Sequence, residues 1–201
     1  MTAVFDLQPV LVGTLLTCRP LRRDDCDSLY QIAADPLIWE QHPQPTRYQR
    51  PVFEQYVEGA MQSGGALAVL HRTTGEPIGC SRYYDLAADR SQIIIGYTFL
   101  ARKYWGGEYN RELKQLMLAH AFRFVDTVVF EIGVSNHRSR RAIEKIGAIL
   151  KREQSHDGSM HAIYQIHRHD FLPLHKPNGG VFAVSCGSSF CSTQTTPLST
   201  L

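Results

Sequence analysis

The sequence has few cysteines, and none has the spacing of a redox or zinc motif. Its five cysteines are an odd number and lie far apart along the chain: Cys18, Cys26, Cys80, Cys186 and Cys191. This pattern argues against a disulfide framework and against a cysteine-ligated zinc site. The histidines His161, His167 and His169 do not match the spacing of known metal sites either, so we expect a surface cluster and no metal. Reduced thiols in the cytoplasm are the expectation that follows.

Strong net charge and long apolar runs are also missing. The formal net charge is +2, which gives no reason to expect a nucleic-acid partner. No apolar run approaches about 18 residues, so we expect no membrane-spanning segment. The N-terminal stretch MTAVFDLQPVLVG lacks a basic segment followed by a long apolar core, so we expect no secretory signal. A length of 201 residues suits one domain with a sizeable core.

The C-terminal part of the chain differs in composition from the rest. From Lys176 onward the sequence KPNGGVFAVSCGSSFCSTQTTPLSTL is dominated by Ser, Thr and Gly and has little charge. Such a segment offers too little apolar periodicity to join a core. The sequence therefore predicts a folded domain over residues 1–175 and a disordered tail over residues 176–201, with an added edge strand at VFAVS as the alternative.

A pair of glycines stands where a strand leads into a helix. The stretch RKYWGGEYN, Arg102 to Asn110, lies between an apolar run, Ile93 to Leu100, and the helical pattern RELKQLMLAHAFRF. The first N–H groups of a helix lack partners and carry partial positive charge, and glycine lets a ligand approach the backbone closely. We therefore expect a phosphate or pyrophosphate site at Gly106 and Gly107. The alternative is a tight turn with aromatic core residues before it.

Apolar periodicity along the chain gives the order β-α-α-β-β-β-α-β-α-β-β. The helices are expected after Asp24, around Phe53 to Met61, after the glycine pair, and from Ser139 to Ile146. A long loop with many Pro, Gln and His residues, Trp39 to Pro51, is expected to be functional because of its length. This order indicates an α/β fold of the α+β mixed-sheet kind: a central mixed β-sheet with helices on both faces. The strands are expected at Leu15–Leu21, in the runs ALAVLHR, PIGCSRYYDL and SQIIIGYTFL, and at Thr127–Val134, Ile149–Gln154 and Met160–His167.

Two motifs in this order resemble a known family. KYWGGE, Lys103 to Glu108, is similar to the R/Q-x-x-G-x-G/A loop of the GNAT N-acetyltransferases, and WGG-x-YN-x-E-x-K resembles the branch that acetylates ribosomal protein N-termini. The segment from Asn136 to Ala148 resembles that branch's N-x-x-S-x-x-A-x-x-K-x-G-A signature. The resemblance runs from about Leu15 to Phe171. Two departures stand out: Lys103 replaces Arg or Gln, and Glu108 replaces a small residue.

The resemblance implies a GNAT-like acyl-CoA N-acyltransferase fold, acetyl-coenzyme A as co-substrate and no metal. Ser139 would protonate the leaving thiolate and Asn136 would hydrogen-bond the pantetheine arm, although either Asn136 or Ser135 also suits a helix cap. The general base stays open among Glu131, Glu40, His71, His137 and a relayed water, with Glu131 as the leading candidate. The implied cofactor-binding residues are Lys103, Tyr104, Trp105, Gly106, Gly107, Glu108, Tyr109, Asn110, Asn136, Arg138 and Ser139.

The leading interpretation is a cytoplasmic N-acetyltransferase that acts on a primary amine, either a protein N-terminus or a small molecule, as a monomer or homodimer. One alternative is a non-catalytic acyl-CoA-binding sensor of the same fold. A second is a nucleotide-binding protein that uses the glycine turn for phosphate. The absence of G-K-[ST] after the glycines counts against the second alternative.

Overall fold

A single eight-stranded sheet runs through a computed structural model of the chain, which describes residues 4–156 and 158–172. Its strand order is β1-β2-β3-β4-β5-β6-β8-β7. Neighbouring strands are antiparallel except β5 and β6, which are parallel, so the predicted mixed sheet is confirmed. The strands are β1 Leu11–Val12, β2 Leu16–Pro20, β3 Ala66–His71, β4 Pro77–Ala87, β5 Gln92–Leu100, β6 Thr127–Gly133, β7 Ile149–His156 and β8 Ser159–His167.

Helices cover both faces of the sheet, as predicted. Alternate side chains of a strand point to opposite faces, and β3 shows this directly. Leu67 and Val69 belong to one buried cluster with residues of the third and fourth helices, whereas Ala66 and Ala68 belong to a second cluster with residues of the first two. The helices are α1 Cys26–Ala33, α2 Arg50–Gln62, α3 Glu108–Ala121 and α4 His137–Glu144.

The two-residue strand β1 was not predicted, and its turn into β2 is held by α3. The Glu112 carboxylate accepts hydrogen bonds from the backbone N–H groups of Thr14, Leu15 and Leu16 at 2.8, 2.9 and 3.0 Å. Hydrogen bonds to an ionised carboxylate are about twice as strong as neutral ones. A Cβ at Gly13 would lie 2.5 Å from this carboxylate. Glu112 therefore fixes α3, and with it the glycine turn, against the sheet.

Strands β5 and β6 pair over only three residues and then separate. Their register runs from Gln92↔Thr127 to Ile94↔Val129 and ends there. Beyond that point Tyr97 has a left-handed φ of 52°, and the register of β4 against β5 shifts, which marks a β-bulge. The two strands therefore diverge beyond Ile94 and Val129. Their divergence leaves a gap in the middle of the sheet.

The loop expected between Trp39 and Pro51 contains a short 3-10 turn, Pro45–Tyr48, and its end forms the start of α2. It packs against the end of β6, where a Cβ at Gly133 would lie 2.8 Å from Pro43. No helix among the described residues is long and apolar enough to cross a membrane. The domain boundary at 175 and the predicted tail over residues 176–201 lie outside the described residues.

Candidate active site

Two connected cavities lie where β5 and β6 separate. The turn cavity, about 630 Å³, is lined by residues 105–108 of the glycine turn and 136–139 at the start of α4. The crevice cavity, about 890 Å³, is lined by residues 95–98 of β5 and 130–133 of β6, together with side chains from α2, α3 and β4. The two cavities therefore adjoin between the glycine turn and the gap between the strands. The two cavities share His42, Thr98, Asn110, Asn136, Ser139 and Ala142.

The glycine turn has the geometry of an anion site. Gly106 adopts a left-handed φ of 68°, and a Cβ there would meet nothing within 4 Å, so a ligand has room at the backbone. Gly107 is the N-cap of α3. The hydrogen bonds of the turn stop at Trp105 N–H, which donates to Arg102 C=O at 3.0 Å. In the described chain no backbone carbonyl accepts from the N–H of Gly106 or Gly107, which fits the pyrophosphate of a coenzyme.

The start of α4 faces the glycine turn across the turn cavity. Asn136 is buried and is the N-cap of α4, since its side-chain oxygen accepts from the N–H of Ser139 at 3.1 Å. Asn136 is therefore the residue that caps this helix, as the alternative interpretation of the motif predicted. Ser139 is half-buried and lines both cavities. Ser139 thus lies where the two cavities meet.

Arg138 links α4 to two other parts of the site. Its guanidinium carbon lies 3.9 Å from the centroid of the Trp105 ring, and its Nη2 donates to Ile38 C=O at 2.9 Å. A longer ion pair, 3.5 Å, joins it to Glu40. Arg138 therefore holds the early loop and the glycine turn around the cavity, and it lines the turn cavity itself.

Three residues predicted to bind the cofactor lie outside both cavities. Lys103 is exposed, with its ammonium 5.1 Å from the ring of Tyr104. The rings of Tyr104 and Tyr109 are 4.6 Å apart and both approach His71. These residues pack beside the turn. The other predicted cofactor residues line the turn cavity: Trp105, Gly106, Gly107, Glu108, Asn110, Asn136, Arg138 and Ser139.

The four candidate bases differ in whether they line a cavity. Glu131 is half-buried and lines the crevice cavity, beyond the last residue pair of β5 and β6. His137 is exposed and lines the turn cavity, whereas Glu40 and His71 line neither. Among these four, Glu131 alone lines the crevice cavity.

Lys114 is a site residue that sequence reasoning missed. It is only 5% exposed, lines the crevice cavity, and its Nζ donates to Thr98 Oγ1 at 2.6 Å. Burial lowers the pKa of Lys114 from its ordinary 10.5 to about 7. The sequence contains the signal, because Lys114 lies three and four residues before Met117 and Leu118 on the apolar stripe of α3.

Two arginines, Arg47 and Arg82, were missed for a different reason. Both are buried and both line the crevice cavity, yet one lies in the long loop and the other on β4. Their guanidinium carbons lie 4.9 and 5.6 Å from the centroid of the same ring, Tyr56. Nothing local in the sequence brings these three segments together. Among the described residues, no group of three or more His, Cys, Asp or Glu side chains could hold a metal ion.

The comparisons with known proteins agree with this geometry. The acetyltransferase (GNAT) domain family matches residues 16–149. A search of curated proteins found no match. Solved structures of low identity share the fold, among them a GNAT-family acetyltransferase from Bacillus anthracis, with 17% identity, TM-score 0.68, and coverage of 80% of this chain and 99% of that one.

Two further neighbours were solved with ligands. Mycobacterium smegmatis RimJ in complex with CoA-disulfide is 16% identical with a TM-score of 0.63, and 81% of this chain and 87% of that chain are covered. Spermidine N-acetyltransferase from Vibrio cholerae, in complex with CoA and spermine, is 14% identical with a TM-score of 0.62, and 79% and 98% are covered. The family match spans more than half of the sequence, and the chain therefore belongs to the GNAT acetyltransferase family, as an acetyl-CoA-dependent acyltransferase.

Proposed function

We propose that this protein transfers the acetyl group of acetyl-coenzyme A to the primary amine of a protein N-terminus or a small molecule. The observation that carries the proposal is the pair of adjoining cavities, one at the Gly106-Gly107 turn and one in the gap between β5 and β6, which share six lining residues. Acetyl-coenzyme A supplies an activated thioester. The protein has to hold it, bring the amine close and move protons.

The turn cavity would hold the coenzyme. The free N–H groups of Gly106 and Gly107, with the N-terminus of α3, suit the pyrophosphate, while Asn136 and Arg138 at the start of α4 also line the cavity. Trp105, Glu108 and Asn110 complete the lining that the sequence predicted. In this proposal Lys103, Tyr104 and Tyr109 contribute by supporting the turn, since they pack beside it.

Proton transfer would use side chains at the junction and in the crevice cavity. Ser139 lines both cavities, so its Oγ–H can donate a proton to the leaving sulfur. Glu131 can accept the proton that the amine must lose before it attacks. Lys114 is a second candidate for that proton, favoured by its burial in the crevice cavity and by a pKa of about 7, which leaves much of it neutral near neutral pH.

The solved neighbours with bound coenzyme support the choice of co-substrate, and the bound spermine of one of them supports an amine acceptor. The three described cysteines, Cys18, Cys26 and Cys80, are free thiols, which supports the expected cytoplasmic enzyme. A monomer or a homodimer suits the proposal equally. A non-catalytic sensor would share the turn cavity but would leave Ser139 and Glu131 without a role.

Two measurements test the proposal. A ligand that binds only the native state raises the thermal midpoint, so acetyl-coenzyme A should raise it and equal concentrations of ATP or NAD should not. Free thiol should then be released from acetyl-coenzyme A in the presence of primary amines. Equal stabilisation by ATP would favour a nucleotide-binding protein. Stabilisation without thiol release for any amine would favour the sensor.

A further inference from the structure

The crevice cavity is lined by two buried positive charges, Arg47 and Arg82, that have no counter-ion within the described part of the chain. Arg47 is 6% exposed and Arg82 is 7% exposed. Neither forms an ion pair with a carboxylate of the described residues. The Nε atom of each guanidinium group is buried and has no hydrogen-bond partner among residues 4–156 and 158–172. Because removing a charged group from water costs several kcal/mol, such groups are normally paired.

Aromatic rings offset only part of this cost. The Arg47 guanidinium carbon lies 5.1 Å from the centroid of Trp39, and that of Arg82 lies 4.1 Å from the centroid of Tyr97. Both also approach Tyr56. A cation-π contact stabilises a cation by less than the cost of burying an unpaired ion. Burial, and to a smaller extent the charge of Arg82, lowers the pKa of Arg47.

His42 adds a third unused donor. Its Nδ1 accepts from the N–H of Gln44 at 2.9 Å, and a neutral imidazole has one acceptor and one donor nitrogen, so Nε2 carries the hydrogen. Burial lowers the pKa of His42 to about 3, so the ring stays neutral near pH 7. Arg47 Nη1, itself a donor, lies 3.2 Å from this Nε2. Two donors that face each other need an acceptor from elsewhere.

The carboxylates that line the same cavity do not supply it. Asp85 and Glu131 are the acidic residues of the lining, and neither forms an ion pair with Arg47 or Arg82. Gln44 Oε1 accepts from Arg47 Nη2 at 3.3 Å and Tyr56 C=O accepts from Arg82 Nη2 at 3.5 Å, but both acceptors are neutral. The missing partner is therefore an anion that enters the cavity.

We propose that the acceptor of this enzyme is an amine that also carries a carboxylate, and that Arg47 and Arg82 bind the carboxylate in the crevice cavity. Guanidinium groups suit this role because their planar forks match a carboxylate. The proposal rests on the proposed acetyl transfer and narrows its acceptor. It disfavours polyamines, whose positive charges would face the two arginines. The carboxylate can belong to a free amino acid or to an acidic side chain near a peptide N-terminus.

Matched pairs of acceptors test this proposal on the wild-type protein. In the first pair, thiol release with free amino acids is compared with thiol release with their amides. In the second pair, peptides with an amidated C-terminus carry either Asp or Glu, or the neutral Asn or Gln, beside the N-terminal residue. Spermidine is the cationic comparison. A hydrogen-bonded charge pair strengthens binding on the order of 10-fold or more. We therefore expect kcat/KM to be at least about 10-fold higher for the carboxylate member of one pair. Equal or better turnover of the amides, the neutral peptides or spermidine overturns the proposal.

Variants locate the preference at the two arginines. Arg82→Gln and Arg47→Gln should each raise KM for the preferred carboxylate acceptor by roughly 10-fold and leave KM for acetyl-coenzyme A unchanged. Arg82→Lys should keep part of the preference because it keeps the charge. Arg23→Gln is the control, since Arg23 is exposed and pairs with Glu58 on the surface. An undiminished preference in both Gln variants contradicts the assignment.

Calorimetry with coenzyme A present gives a readout that does not depend on turnover. The wild-type protein should bind the preferred acid more tightly than its amide, and Arg82→Gln should lose that difference. Equal binding of acid and amide by the wild-type protein overturns the carboxylate proposal even if acetyl transfer is observed. Failure of acetyl transfer itself would instead show as no thiol release with any amine and no stabilisation by acetyl-coenzyme A.

Discussion

The two cavities of the site are built in different ways. The turn cavity has the glycine turn and the starts of α3 and α4 on its wall, at residues 105–108 and 136–139, together with residues from the early loop, the end of β5 and the rest of α4. The crevice cavity is formed by side chains from the long loop, α2, α3 and strands β4, β5 and β6. The backbone N–H groups of the glycine turn suit a ligand that does not vary, such as the coenzyme. Side chains of the crevice cavity can be adapted to one acceptor without disturbing the coenzyme site.

The largest effect is expected where the cavities meet, at Ser139. Ser139→Ala should lower turnover by roughly 10²-fold, the usual scale of lost general-acid assistance, while coenzyme binding stays nearly intact. The thermal midpoint should also stay unchanged, because the capping hydrogen bond to Asn136 is donated by the backbone N–H of residue 139. Asn136→Ala is the contrasting variant and should cost about 1 kcal/mol of stability. Normal turnover with an earlier melt in Ser139→Ala would make Ser139 a structural residue and place the acid elsewhere.

A replacement at the glycine turn should affect only the turn cavity. Gly106→Val places a β-branched side chain at a φ of 68°, at a cost of about 1 to 3 kcal/mol, and obstructs the approach of the coenzyme to the backbone. KM for acetyl-coenzyme A should rise by roughly 10-fold, with KM for the acceptor unchanged.

The matched control for that variant is Gly75→Val. Gly75 has a similar φ of 71° and open space around its Cβ position, but it lies in the hairpin between β3 and β4. Gly75→Val should lower the thermal midpoint and leave both KM values unchanged. A similar rise in KM for acetyl-coenzyme A in both variants would attribute the Gly106 effect to general destabilisation.

These differences also explain what the sequence could reveal. Local patterns were enough to predict the helices on both faces, the mixed sheet and the glycine turn, because each depends on residues close in the chain. The Asn136 and Ser139 motif was found for the same reason. Arg47 and Arg82 belong to one site only because β4 and the long loop meet at Tyr56, which no local pattern records. The strand β1 was missed because two residues carry no periodicity; its position depends on Glu112, about 100 residues away.

The buried amine of Lys114 gives the crevice cavity a dependence on pH. Burial lowers the pKa of Lys114 from 10.5 to about 7, so between these values the unfolded chain keeps a proton that the folded chain has released. The stability of the wild-type protein relative to Lys114→Met should therefore rise as pH increases from about 7 to 10 and be lowest below 7. Urea unfolding at a series of pH values across this range measures the stability difference, and Lys103→Met, at an exposed lysine, is the control. A pH-independent difference would mean that Lys114 keeps an ordinary pKa.

The smallest effect is expected from the charge beside the glycine turn. Glu108→Gln removes a negative charge from the lining of the turn cavity, so the affinity for acetyl-coenzyme A should increase about 2-fold to 3-fold at low salt and less at high salt. The same change should cost about 0.3 to 1 kcal/mol of stability, because Glu108 lies in the first turn of α3. Glu76→Gln, at an exposed hairpin turn, should alter neither. Weaker coenzyme binding in Glu108→Gln would indicate that the carboxylate itself contacts the ligand.

Steady-state kinetics with both substrates varied test the division between the two cavities most directly. The wild-type protein, Gly106→Val and Arg82→Gln are compared with acetyl-coenzyme A and the preferred acceptor. Gly106→Val should raise KM for acetyl-coenzyme A alone, and Arg82→Gln should raise KM for the acceptor alone. If Arg82→Gln instead raises KM for acetyl-coenzyme A, or Gly106→Val raises that for the acceptor, the assignment of one substrate to each cavity is wrong.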